Sequence, residues 1–173
     1  MASGRAASRV RGVWGPYFEA MLPGLYLHEA GQSSCGKLIE QVVQRHAEYS
    51  RAAELATQQQ GNNQRVYDWL YERLLKRAGG DADAVARLTH TLHVYPDIHG
   101  NRSPLADAAM TAQISGVDLD LYSSVDGLAL VYLAAVQALA YQTRHIVQVL
   151  SEDSSGGERF KVITLIGGLG RNM

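Results

Sequence analysis

Apolar and polar positions alternate in two ways along this chain, and the two periods divide it into short strands and longer helices. Leu25 and Leu27 alternate with Tyr26 and His28, which predicts a strand over residues 24–29. Leu38, Ile39, Val42, Val43 and Ala47 recur at helical spacing and predict a helix from about Cys35, with Ser33 or Ser34 as its cap. Residues 48–63 read as the tail of that helix followed by a solvated, glutamine-rich loop. Val66, Leu70 and Leu74 form one stripe of a helix over residues 64–77, which Gly79 and Gly80 terminate. Residues 81–87 read as a polar connector with a short helical turn. Leu92 and Val94 predict a strand over residues 90–95, and residues 105–115 predict a helix that stops at Gly116. The longest helix is predicted over residues 125–150, with Leu128, Val131, Tyr132, Ala135, Leu139, Ile146 and Val149 inward. The chain then passes a Gly/Ser loop into a β-branched run, residues 160–166, and a glycine turn, Gly167-Gly168-Leu169-Gly170. A helix that delivers the chain into a buried parallel strand is the pattern of an α/β domain. A glycine-rich turn after such a strand lets backbone approach a ligand closely, although it also serves as an ordinary tight turn.

Composition narrows the function classes. The 173 residues amount to one ordinary domain, and 46% hydrophobic with 19% charged residues suits a packed core. Sixteen Lys and Arg against 17 Asp and Glu give a formal charge of -1, which argues against nucleic acid or an anionic membrane as the main partner. The most apolar stretch, residues 128–141, is interrupted by Gln137 and is shorter than the roughly 20 residues of a bilayer span. The single cysteine, Cys35, excludes an internal disulfide and fits a reducing, cytoplasmic setting. Residues 1–11 carry Arg5, Arg9 and Arg11 without an acid; that composition suits an organelle transit peptide, but a disordered leader is the preferred reading. Residues 12–23, rich in aromatics, glycine and proline, are expected to form an ordered loop packed on a core.

Candidate chemistry is sparse. His90, His93, Asp97 and His99 lie close in sequence, but on a strand His90 and His93 face opposite sides, so polar loop residues are the better reading and no metal site is predicted. Cys35 at a helix start would have a lowered thiol pKa if it were a nucleophile; a small buried cysteine is preferred. Gly36 at the same helix start exposes backbone N–H groups of positive partial charge, suited to a phosphate, or simply lets the helix pack closely. Arg102 is read as a structural salt bridge in preference to an anion ligand, and no carboxylate stands out as a general base.

Four stretches in register resemble the C-terminal domain of the FGGY carbohydrate kinases, in their ribulokinase-like branch. His28-Glu29-Ala30-Gly31-Gln32-Ser33-Ser34-Cys35-Gly36 looks like its E-x-G-Q-S-x-x-G segment. Gly100-Asn101-Arg102-Ser103-Pro104 is similar to its next motif, where other branches carry Glu in place of Asn101. The long helix through Ala134, Gln137, Ala138 and Arg144 and the closing segment from Gly167 to Asn172 complete the set. Trp14-Gly15-Pro16-Tyr17 looks closest to the D-ribulokinase-like group.

The resemblance implies an α/β domain of the actin-like, ribonuclease-H-like ATPase fold, spanning residues 12–173 and truncated at both ends. It implies ATP and Mg²⁺ as cofactors and a sugar, such as ribulose, as substrate, bound mainly by an N-terminal domain outside this sequence. Gly36 matches the glycine beside the nucleotide phosphates; Gly168 and Asn172, with Gly167, match the adenosine-holding glycine turn; Glu40 matches a position that is often Gln. The family's catalytic aspartate and its phosphate-binding Asp-x-Gly-Thr and Gly-Thr-Ser loops have no counterpart here, so the chain alone is expected to be inactive. The alternative is a non-catalytic module that binds a nucleotide or a partner protein.

Overall fold

A computed structural model describes residues 2–4, 9–60 and 66–153. They divide into two compact units, each with segments distant in sequence.

The first unit comprises residues 2–4, 9–34, 97–112 and 139–153 among those described. Its sheet has three antiparallel strands in the order β1 (Ala2–Gly4), β3 (Tyr26–Glu29), β2 (Trp14–Phe18). Ala2 pairs with His28 and Gly4 with Tyr26, so residues 2–4, expected within a disordered leader, form a strand. Likewise β2 replaces the expected loop: Phe18 pairs with Tyr26 and Tyr17 with Leu27, and the register slips between Tyr17 and Trp14. The aromatics there do not pack inward, since Trp14, Tyr17 and Phe18 are exposed. In the β2–β3 turn Glu19 takes φ 55°; its N–H donates to Leu25 O at 2.8 Å and its Oε1 accepts the Gly24 N–H at 3.0 Å. β3 forms as its alternation predicts, yet His28 is buried and Leu27 only half-buried.

The second unit comprises residues 35–60, 66–96 and 113–138. It holds α1 (Gly36–Gln44), α2 (Tyr49–Gln60), α3 (Val66–Arg77), α4 (Ala82–Val85), a 3-10 turn (Ala86–Thr89), β4 (His93–Tyr95), β5 (Gln113–Ser115) and the first half of α5 (Val125–Asp153). The predicted continuation of the first helix breaks at His46. That side chain turns inward: Nδ1 accepts the Glu48 N–H at 3.2 Å, and Nε2 lies 2.7 Å from Leu121 O. α2 then starts afresh and buries Ala52 and Ala56. α3 forms as predicted, burying Trp69, Leu70 and Leu74. Gly79 and Gly80 take positive φ and close it with N–H bonds to Lys76 O and Leu75 O.

The predicted helix over residues 105–115 is absent. Its alanines favour helix locally, but the backbone is engaged elsewhere. Asn101 and Asp107 exchange both backbone hydrogen bonds, at 2.8 and 2.9 Å, and Ala106 sits at φ 54°. Residues 113–115 pair instead with β4, His93 against Ser115 and Tyr95 against Gln113. Gly116 then takes φ 81°, and a Cβ there would lie 1.7 Å from Thr91 O, so only glycine fits.

α5 runs from Val125 to Asp153 and is, by length and mean hydropathy of 1.3, apolar enough to cross a membrane, which corrects the reading from residues 128–141. Two thirds of that window (67%) is buried inside the protein, which is the signature of a core helix. Leu92, Leu121, Val131 and Ala134 form a buried cluster with it. The two sheets described are antiparallel throughout. The expected terminal parallel strand and glycine turn lie outside the described residues.

Candidate functional site

In the first unit, residues 28–34 and 97–104 are joined through buried polar groups. The Ser103 hydroxyl, fully buried, donates to Gly12 O at 2.7 Å and accepts the Gly31 N–H at 3.3 Å. Ser33 Oγ donates to Gly100 O at 3.2 Å. Gln32 Nε2 donates to Leu139 O and to Thr143 Oγ1 on α5, both at 2.8 Å. Behind these, the buried Asp97 carboxylate accepts Asn101 Nδ2 at 2.8 Å and Gln142 Nε2 at 2.7 Å. Asn101 Oδ1 accepts the Leu105 N–H at 3.0 Å. A carboxylate at this depth requires such donors, because an unpaired buried charge is far more costly than a bonded one. Two glycines permit the close approach: a Cβ on Gly12 would meet Pro104 O at 1.8 Å, and one on Gly100 would meet Ala108 Cα at 2.8 Å.

This polar hub fixes Arg102, which lies between the buried Asn101 and Ser103. The salt bridge expected for Arg102 is not present among the described residues; its guanidinium lies over the Trp14 ring, 4.1 Å from the centroid. An open cavity of about 580 Å³ is lined by Arg11, Pro104, Leu105, Asp107 and Met110 among others.

In the second unit, α1 opens at Gly36, as expected. Neither Ser33 nor Ser34 caps it. Cys35 holds the cap position without a side-chain cap hydrogen bond, and the first turn carries no acid. Gly36 is exposed, and a Cβ on it would meet nothing within 4 Å among the described residues. Close helix packing therefore does not account for this glycine. Glu40, one turn on, pairs with Lys37 Nζ at 2.9 Å in a solvent-exposed contact of little energetic weight. Tyr67 is pushed above the usual phenol range, first by burial and then by Tyr49 and Glu40. Burial likewise pushes the Cys35 thiol up, against the helix-end effect that a nucleophile would need.

Of the other predicted site residues, Gly167, Gly168 and Asn172 lie outside the described residues. Among the described residues no three His, Cys, Asp or Glu side chains gather as metal ligands. Sequence reading missed Gln142 and the role of Asp97. The available signal was Gln142 itself, a polar residue between Leu139 and Ile146 on the inward stripe of α5.

The glycines, the Gln32–Ser33 clasp and the Asn101–Arg102–Ser103 loop sit on the segments that carry the family resemblance, and comparison with known proteins decides the matter. Residues 1–173 match the C-terminal domain of the FGGY family of carbohydrate kinases. The chain belongs to that family. An FGGY carbohydrate kinase domain-containing protein of Danio rerio is 44% identical over 172 residues, 99% of this chain and 30% of its own length. A D-ribulokinase of Saccharomyces cerevisiae is 32% identical over 163 residues, 94% of this chain and 22% of its own. A ribulokinase of Staphylococcus aureus is 30% identical over 140 residues, 81% of this chain and 22% of its own. The chain thus spans less than a third of the FGGY relatives it matches. Membership places it with the sugar kinases of the actin-like ATPase fold, and the helices and small sheets described are consistent with an α/β domain.

Proposed function

We propose that this chain supplies part of the nucleotide site of an ATP-dependent kinase that phosphorylates a hydroxyl of a ketopentose such as ribulose. The observation that carries the reading is the start of α1: an exposed helix end at a glycine whose Cβ position meets none of the described residues, with no acidic side chain in its first turn. Backbone N–H groups at such an end favour a phosphate. Gly36 takes the place beside the ATP phosphates, and the turn containing Gly167, Gly168 and Asn172 holds the adenosine. Mg²⁺ enters with ATP and neutralises charge on the phosphates. The base that accepts the sugar hydroxyl proton is an aspartate outside this sequence, so the chain alone gives no turnover. The ribulokinase names among the relatives favour a ketopentose over other sugars.

Gly36→Asp tests this cleanly. Its Cβ would meet none of the described residues, and an acid in the first turn should stabilise α1 by roughly 0.3–1 kcal/mol. The same carboxylate would repel phosphate. Calorimetric titration with Mg-ATP should show saturable binding by the chain, lost in Gly36→Asp and in Gly168→Asp while both variants stay folded. Unchanged ATP affinity in Gly36→Asp overturns the assignment of Gly36. Ribulose-dependent ADP release by a protein of the relatives' full length tests the acceptor.

A further inference from the structure

Among the described residues two arginines lie over tryptophan rings, and they differ in their partners. Arg73 lies 5.5 Å from the Trp69 centroid, and its Nε is 2.5 Å from Asp126 Oδ1, so its fork is engaged. Arg102 lies closer, 4.1 Å from the Trp14 centroid, yet among the described residues its guanidinium donates no hydrogen bond and meets no carboxylate. It is exposed, as is Trp14. The loop that presents it is immobilised on both sides, by Asn101 through Asp97 and Leu105, and by Ser103 through Gly12 and Gly31. The flank of the guanidinium is kept clear by a glycine: the Cβ position of Gly31 is 3.8 Å from Arg102 Cζ and Nη1, so a longer side chain there would lie across the fork.

We propose that Arg102, held over the Trp14 ring, binds the phosphate group of a small-molecule ligand. An arginine on a mobile surface loses much rotamer freedom when it engages a ligand. Here stacking and the fixed loop remove much of that freedom beforehand. The planar fork then offers parallel N–H donors to two oxygens of one oxyanion. This goes beyond the nucleotide reading and does not rest on it, because Arg102, Trp14 and Gly31 take no part in that reading.

Trp14 is itself the reporter, since the other tryptophan, Trp69, is buried at 3% exposure. Titrating the full chain with inorganic phosphate at constant ionic strength should change Trp14 fluorescence saturably in the millimolar range. The change should be absent in Trp14→Phe. Arg102→Met keeps the stem on the ring and should weaken phosphate binding by about tenfold or more. Gly31→Leu, which leaves the charge in place and covers the fork, should weaken it as well. Folding of each variant is checked by circular dichroism. A phosphorylated pentose distinguishes the source: tighter binding than phosphate assigns the site to a sugar phosphate, and equal binding to phosphate as such. A folded chain without a phosphate response, or a response that survives in Arg102→Met, overturns the proposal.

Discussion

At the scale of single residues, the chemistry rests on groups whose surroundings settle their behaviour. Asp97 is 3% exposed, and both its oxygens accept side-chain amides, so removing one amide leaves a buried acceptor unsatisfied. Gln142→Leu should therefore lower the unfolding free energy by roughly 2 kcal/mol in a urea titration, more than an ordinary surface change. Asn101→Glu, the residue that resemblance gives to other branches, would set a second carboxylate against Asp97 and should be at least as damaging. Cys35 makes a pH-dependent prediction. Its thiol is raised by burial, so less thiolate is present at neutral pH than in a free cysteine. Iodoacetamide should react more slowly than with a model thiol, and the midpoint of rate against pH should lie above the usual thiol value of about 8.5. A midpoint below it would restore the nucleophile reading. These environments were not legible beforehand. Spacing located Arg102 and Asn101 in a dense polar loop, but the buried partners of that loop lie about 45 and 90 residues away, as in Gln142 with Asp97 and Ser103 with Gly12.

At the scale of elements, periodicity succeeded where packing and pattern agree. α3 and α5 each bury one continuous stripe, and both lie within a few residues of their predicted limits. It failed over residues 105–115, where helix-favouring alanines are overruled by the Asn101–Asp107 bridge and the β4–β5 pairing. The first turn of α5 offers a test of the same conflict. Propensity alone predicts that Gly127→Ala stabilises the helix by about 1 kcal/mol. The Cβ would stand 2.1 Å from Leu121 O, so a net loss of stability is expected, read as a lowered Tm. Ser124 caps this helix, accepting the Gly127 N–H at 2.9 Å, and Ser124→Ala should cost about 1 kcal/mol.

At the scale of the whole molecule, composition identified a packed chain with nearly balanced charge, and the long apolar helix is where a scan of hydropathy alone misleads. α5 is apolar because it is a core element: Leu128, Ala129, Val131 and Ala135 are each at most 2% exposed. Leu128→Ala should destabilise by about 2–5 kcal/mol, the range for a truncated core leucine, in denaturant unfolding. The nucleotide reading was legible chiefly through its glycines, since Gly36 has no packing duty among the described residues. The strands were less legible. They are three to five residues long, too short for alternation to separate strand from loop, and β2 hides behind a proline and a register slip.

That proline has a consequence for behaviour in concentrated solution. Among the described residues β2 forms one margin of its sheet, and its outer rim would be an open template for strands of other molecules, with Trp14, Tyr17 and Phe18 as adhesive. Pro16 contributes no N–H, and the slip beside it throws the following donors out of step, so an incoming strand finds no regular ladder to zip onto. The rim is left sticky but unreadable. Replacing that single residue with valine would supply a donor on a β-favouring side chain, and light scattering on storage should then rise.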